Sequence, residues 1–306
     1  MPAMTKIAEP DTLPAMNWEE RRDLAIYRCM RALPVSVVSR LGASLGLRLG
    51  RRAHPEADAR VVAALERLRP DLARDPKQLR AAQMRLWANV GRVYAEISVL
   101  DKIEPGDRVT IAGAEHFDAA MADGRPVIVA YVHLGNWEAS AIQMSKRAPG
   151  RGCALADPPP ANRTRAQIVA MQRSGWPGKV LTIDAMVWRH ALKHLEQPGG
   201  VMFVAIDEPF GGGMPVPSFG RPLDERGNLG KIVRLAARTG ALILPSYCER
   251  LDGARFRTHL LAPFEIASGR DAGRHQLRER AAALDALFAP IVLRLIDQWF
   301  GLLSYR

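Results

Sequence analysis

The residues best placed to do chemistry lie in one run, Val127-Ile128-Val129-Ala130-Tyr131-Val132-His133-Leu134-Gly135-Asn136-Trp137-Glu138. An apolar strand leads into His133, Gly135-Asn136 makes a turn, and Asn136 suits the N-cap of a helix opening at Trp137. His133 therefore falls at the carboxyl end of a strand, where open α/β sheets place their ligands. Glu138 follows in the first helical turn, and a short turn folds its carboxylate back beside the imidazole. Neutral histidine in that setting removes a proton from a substrate hydroxyl, while the carboxylate fixes the tautomer and stabilises the imidazolium. No Ser or Cys stands beside the pair, so the substrate hydroxyl would itself be the nucleophile. The spacing fits equally a structural histidine bonded to a glutamate at a turn, and both readings stand at this level.

Three other matches carry less. Gly42-Ala43-Ser44-Leu45-Gly46 satisfies GxSxG, but a nucleophile elbow needs a strand before its serine and this stretch is helical in pattern. Gly230-Lys231 hints at a phosphate-binding loop, yet Glu225 and Ile232 stand where that motif needs Gly and Ser or Thr. His190 and His194 are four apart on a predicted helix and have the spacing to share a metal. Glu196 falls off that face and there is no HExxH, so a solvated helix face is the expectation. Neither a metal nor a resident cofactor is expected.

The elements that position His133 change texture along the chain. Helices are predicted over 17–33, 35–50, 57–69 and 76–102, with no strand-like alternation between them. From about Arg108, short apolar runs at 109–112, 126–132, 153–156, 179–183, 201–206, 242–247 and 255–261 alternate with helical stretches at 115–122, 137–147, 162–174, 185–197 and 228–239. A long helix is predicted from Asp271 to Leu303. Strand–helix alternation of this kind means an α/β fold with a mixed, largely parallel sheet flanked by helices, its strands covered on both faces. The organisation expected is an N-terminal helical region over 1–105 and an α/β catalytic domain over 106–306. The Gly/Pro-rich stretch from Glu208 to Pro222 is the longest irregular one, and such a loop inside a compact domain is often functional.

The chain of 306 residues carries 43 Lys+Arg against 32 Asp+Glu, a net charge of +11, and only seven of its cations are lysine. That excess asks for an anionic partner. There is no aromatic–basic interleaving, helix-turn-helix signature or zinc knuckle, so nucleic acid is not expected. Three scattered cysteines make no disulfide framework and fit a reducing compartment. From Leu24 to Pro55 every formal charge is an arginine: Arg28, Arg31, Arg40, Arg48, Arg51 and Arg52. Val38, Leu41, Leu45 and Leu49 form an apolar helical stripe there, and Gly42, Gly46 and Gly50 form a groove that allows close helix approach. The stripe fits a helix lying on an anionic membrane, and it fits as well an amphipathic helix packed on its own domain. Arginines break the run, no apolar stretch reaches 18 residues, and residues 1–15 have no signal-peptide pattern.

His133–Glu138 matches the HxxxxD/E signature of glycerolipid-type acyltransferases, and HLGNWE after an apolar strand resembles the bacterial lipid A late acyltransferases, the lauroyl/myristoyl transferase family. WANVGRVYAE at 87–96 resembles that family's helix ending in Glu. Asp207 after VAI, followed by Pro217-Ser218-Phe219-Gly220, resembles its Asp strand end and Pro-Phe-Phe-Gly turn. The resemblance covers most of the chain and implies transfer of a fatty acyl group from acyl carrier protein to a hydroxyl of a lipid-linked sugar. By it, His133 is the general base with Glu138 as partner. Arg173, with Arg163 and Arg165 nearby, matches the family arginine, and Asn136 joins the substrate side of the site. Asp207 either contacts substrate or holds the Gly-rich loop. The partners implied are acyl carrier protein and an anionic membrane glycolipid, a lipid A precursor or a relative such as a phosphatidylinositol mannoside. The place implied is the cytoplasmic face of the inner membrane, by peripheral or monotopic attachment. A non-catalytic lipid-binding protein on the same fold is the alternative that an intact His133–Glu138 pair opposes. Ser218 and Glu208-Pro209 depart from the family pattern in the loop that shapes the acceptor site.

Overall fold

The computed structural model describes residues 17–103, 107–158, 160, 163–174, 176–209, 213–266 and 273–305. Its centre is a seven-stranded sheet of β1 (Val109–Ala112), β2 (Val127–Tyr131), β3 (Gly152–Ala156), β4 (Lys179–Thr182), β5 (Val201–Ala205), β6 (Leu242–Arg250) and β7 (Phe256–Leu260), in the order β1-β7-β6-β2-β5-β3-β4. All neighbours are parallel except β6 and β7, so the sheet is mixed and largely parallel, as the alternating pattern predicts. Each predicted strand is present within a few residues of its expected ends.

The apolar run of β2 has no polar face because both of its faces are covered. Ile128, Ala130 and Val132 enter one buried cluster, and Val127 and Val129 enter another on the opposite side. The first cluster continues through Val61, Leu65, Leu86 and Trp87 of the N-terminal helices to Leu284, Phe288 and Trp299 near the other end of the sequence. The helical region and the α/β region thus share one core.

The N-terminal helices start where local chemistry directs. Asn17 and Glu20 form a reciprocal capping box ahead of Trp18–Ala32, and Pro55 and Pro76 occupy first-turn positions of Pro55–Leu68 and Pro76–Glu96. Helix Val35–Leu45, continued by a wider turn at Gly46–Gly50, lies on Pro76–Glu96 through its glycines. A Cβ on Gly46 would meet the Trp87 carbonyl oxygen at 2.1 Å, and one on Gly91 would meet that of Gly42 at the same distance. With the glycine face turned inward, Leu41, Leu45 and Leu49 face outward at 42, 49 and 55% exposure, beside exposed Arg40 and Arg48. Val38 alone of that stripe is buried. No described helix is long and apolar enough to cross a membrane.

Two expectations need correction. The last helix spans Arg274–Arg294 and stops well before Leu303, while its predicted start at Asp271 lies outside the described residues. Beyond it, two short 3-10 turns, Ile296–Gln298 and Phe300–Leu303, flank an extended Trp299. Helical geometry gives way because Trp299 turns back into the core and bridges Leu134. His194 is also not on a solvated face. It is buried under the sheet edge, and its Nε2–H donates to the Arg151 carbonyl at 2.8 Å.

Candidate active site

The register of two strands builds the site. β2 and β5 pair in parallel with Tyr131 opposite Ala205, so the residues two places beyond each, His133 and Asp207, leave the sheet side by side. The His133 Nδ1–H donates to Asp207 Oδ1 at 2.7 Å, and the His133 backbone N–H donates to Asp207 Oδ2 at 2.9 Å. A carboxylate only accepts, so Nδ1 carries a proton in this bond, and Nε2 is the ring nitrogen left to gain or lose one. Asp207 is fully buried, while the His133 side chain keeps 16% exposure.

Gly135 makes the turn that follows. Its φ is +61°, and a Cβ there would meet the Cys248 carbonyl oxygen at 2.7 Å, so glycine is required on both counts. Asn136 then caps helix Trp137–Ser145 by accepting from the Ala139 N–H, and its amide donates to Glu96 Oε2 at 2.9 Å. Glu96 is fully buried and held by a two-pronged bridge from Arg250, at 2.7 and 2.9 Å, with the Ser39 hydroxyl as a further donor at 2.7 Å. The helical layer thereby grips the turn beside His133.

Three predicted assignments change. The carboxylate bonded to the His133 ring is Asp207. Glu138 is exposed on the first helical turn, lines the same cavity as His133, and its charge favours the imidazolium. Asp207 is fully buried in the cavity wall and accepts three hydrogen bonds, two from His133 and one from Trp299, which makes it the partner of His133. Asn136 is fully buried with both side-chain ends engaged, so it supports the turn and does not face substrate. Arg163 and Arg173 sit at the two ends of helix Arg163–Ser174, and their side chains lie outside the described residues. Arg165 pairs with Asp23 at 2.8 Å on the helix Trp18–Ala32. Sequence reasoning missed Arg250, whose signal was a lone cation at the end of an apolar strand, and Trp299.

A cavity of about 650 Å³ opens above this pair. Tyr131, His133, Glu138, Asp157 and Glu208 line its polar end. Ala154, Val180, Val169, Trp176 and Phe203 line an apolar arm. Phe203 lies within β5 and Asp207 two residues beyond its end, so the lining runs from the strand end back along the sheet. Trp176 packs edge-on to Phe203 at 5.3 Å there. Trp137 stands edge-on to the His133 ring at 4.6 Å.

The electrostatics follow from burial and carboxylates. Burial works against a charge on His133, but Asp207 by charge and hydrogen bond, then Glu208 and Glu138, outweigh it and push the imidazolium up to about 9. Glu208 Oε1 lies 3.6 Å from Nε2, too long for a hydrogen bond, and burial raises its carboxyl above the usual range. Among the described residues no three His, Cys, Asp or Glu side chains are grouped to hold a metal ion.

A buried Asp–His pair at strand ends thus opens on a cavity lined in large part by apolar side chains, the setting of an acid–base site beside an apolar ligand pocket. Residues 17–304 match bacterial lipid A biosynthesis acyltransferases, and the chain belongs to that family. The family supports an acyltransferase of lipid A biosynthesis. No curated protein matches the chain.

Proposed function

We propose that the protein transfers a fatty acyl group from an acyl carrier protein thioester to a hydroxyl of a lipid A precursor. The observation that carries this is the His133 ring nitrogen facing the polar end of a cavity whose other end is an apolar arm along the sheet. The acyl chain lies in the arm. Nε2 of His133 takes the acceptor proton as its oxygen attacks the thioester carbonyl, and Asp207 stabilises the imidazolium. The C–O bond forms, the C–S bond breaks, and the imidazolium returns the proton to the departing thiolate. With the imidazolium pushed up to about 9, the neutral ring that takes the proton is the minor form at pH 7, so the rate rises with pH toward that value.

The outward Leu41, Leu45 and Leu49 with Arg40 and Arg48 support peripheral attachment to an anionic membrane, where the acceptor resides. An acidic carrier protein suits a chain of net charge +11. The test is an assay with acyl carrier protein thioester as donor and a lipid A precursor or another glycolipid as acceptor. Wild type yields the acylated product and His133→Ala does not. Full transfer by His133→Ala sinks the mechanism, and transfer only to another glycolipid changes the acceptor.

A further inference from the structure

Asp207 does not face the cavity alone. Its Oδ2, which already accepts from the His133 backbone, also accepts from the indole Nε1–H of Trp299 at 2.8 Å. Trp299 is fully buried and lies behind Asp207, away from substrate. Its rotation is blocked on several sides. Phe219, held in the left-handed region at φ +48°, packs edge-on at 5.8 Å, and Tyr305 packs at 6.0 Å. A Cβ on Gly301 would touch the indole at 2.5 Å, so glycine keeps that space for the ring. The backbone is joined as well. The Phe300 N–H donates to the His133 carbonyl at 2.9 Å, and the Gly135 N–H donates to that of Gln298 at 3.3 Å. The Gln298 side chain in turn accepts from the Arg250 N–H and donates to the Arg250 carbonyl.

We propose that Trp299 is a positioning residue of the reaction: its indole N–H fixes Asp207 and, through it, the tautomer and orientation of the His133 ring. Any buried indole N–H needs an acceptor, so it is the identity of the acceptor that matters. Here it is Asp207 Oδ2, the oxygen that also accepts from the His133 backbone, beside the one bonded to His133 Nδ1. The bond also draws charge from Asp207 and so moderates how tightly His133 keeps its proton. This rests on the reading that His133 takes the acceptor proton.

The groups facing the ring are Asp207 and Glu208 after β5, Glu138 on helix Trp137–Ser145 and Tyr131 on β2, with Asp157 beside Glu208. Trp299→Phe keeps most of the volume and removes only the donor. In that variant kcat falls by about tenfold to a hundredfold, the worth of one hydrogen bond to a charged group. KM for the thioester stays near the wild-type value, and the acid limb of the pH–rate profile moves up by about one unit. Titration of His133 by NMR moves the same way, and it reports on the bond even if the transferred group is something other than a fatty acyl chain. A folded Trp299→Phe with unchanged kcat and unchanged His133 titration overturns the proposal. Should that variant not fold, the indole resonance of Trp299 in Asp207→Asn decides. A shifted, faster-exchanging signal supports the bond, and an unaltered one refutes it.

Discussion

Two buried carboxylates flank the turn that carries His133, and they differ in what neutralises them. Glu96 is met by a full positive charge, the Arg250 guanidinium, on both oxygens, with Ser39 and Asn136 filling the remaining positions. Asp207 is met by a ring that can gain and lose its charge, through the His133 Nδ1–H, and by two dipoles, a backbone N–H and an indole N–H. The first charge is consumed locally and serves the scaffold. The second keeps its field and exerts it on His133. Burial alone therefore does not mark a working carboxylate, and the partner's charge does.

The comparison can be broken in graded steps. His133→Ala should abolish acyl transfer, with circular dichroism showing the fold retained. Asp207→Asn removes the charge but keeps the shape, leaving the wrong tautomer. Its kcat should fall by roughly 10²–10⁴-fold, and the remaining acid limb should lie below the wild-type position near 9, because the raising charge is gone. Glu96→Gln leaves Arg250 buried and unpaired. It should cost about 3–5 kcal/mol in denaturant unfolding while leaving the acid limb of the surviving enzyme in place. An equal shift of the pH profile in Glu96→Gln and Asp207→Asn would erase the distinction between the two carboxylates. Glu138→Gln, on an exposed side chain whose charge adds less to the ring than that of Asp207, should reduce kcat less than Asp207→Asn. Smallest in chemistry is the double change Leu45→Asp, Leu49→Asp. It should release the protein from anionic vesicles in a sedimentation assay and spare transfer to a detergent-dispersed acceptor.

Much of this was legible in residue order. The strand, the Gly-Asn turn and the helix after His133 are local chemistry, and each stands where the pattern placed it. The glycine repeat at 42, 46 and 50 announced a close helix contact, and that contact decides which way the neighbouring leucines point. What stayed hidden lies in long-range pairing. Glu138 was the nearest carboxylate in sequence, whereas Asp207 is nearest in space because β5 is the parallel neighbour of β2. No local rule carries that register. The same holds for 295–303, where an apolar stretch that continues the helical pattern instead turns one indole into the core. Ser218, which departs from the family turn, is accounted for by Asp285, which accepts from both its backbone N–H and its hydroxyl.

The indole of Trp299 also sets an order in time. Its partner at Asp207 is 92 residues upstream, and His133 lies further back still. During synthesis the sheet strands that carry the pair emerge first, and the donor that completes it leaves the ribosome much later. Until then Asp207 lacks the indole N–H from which it accepts in the finished chain, and the core around it lacks Leu284, Phe288 and Trp299.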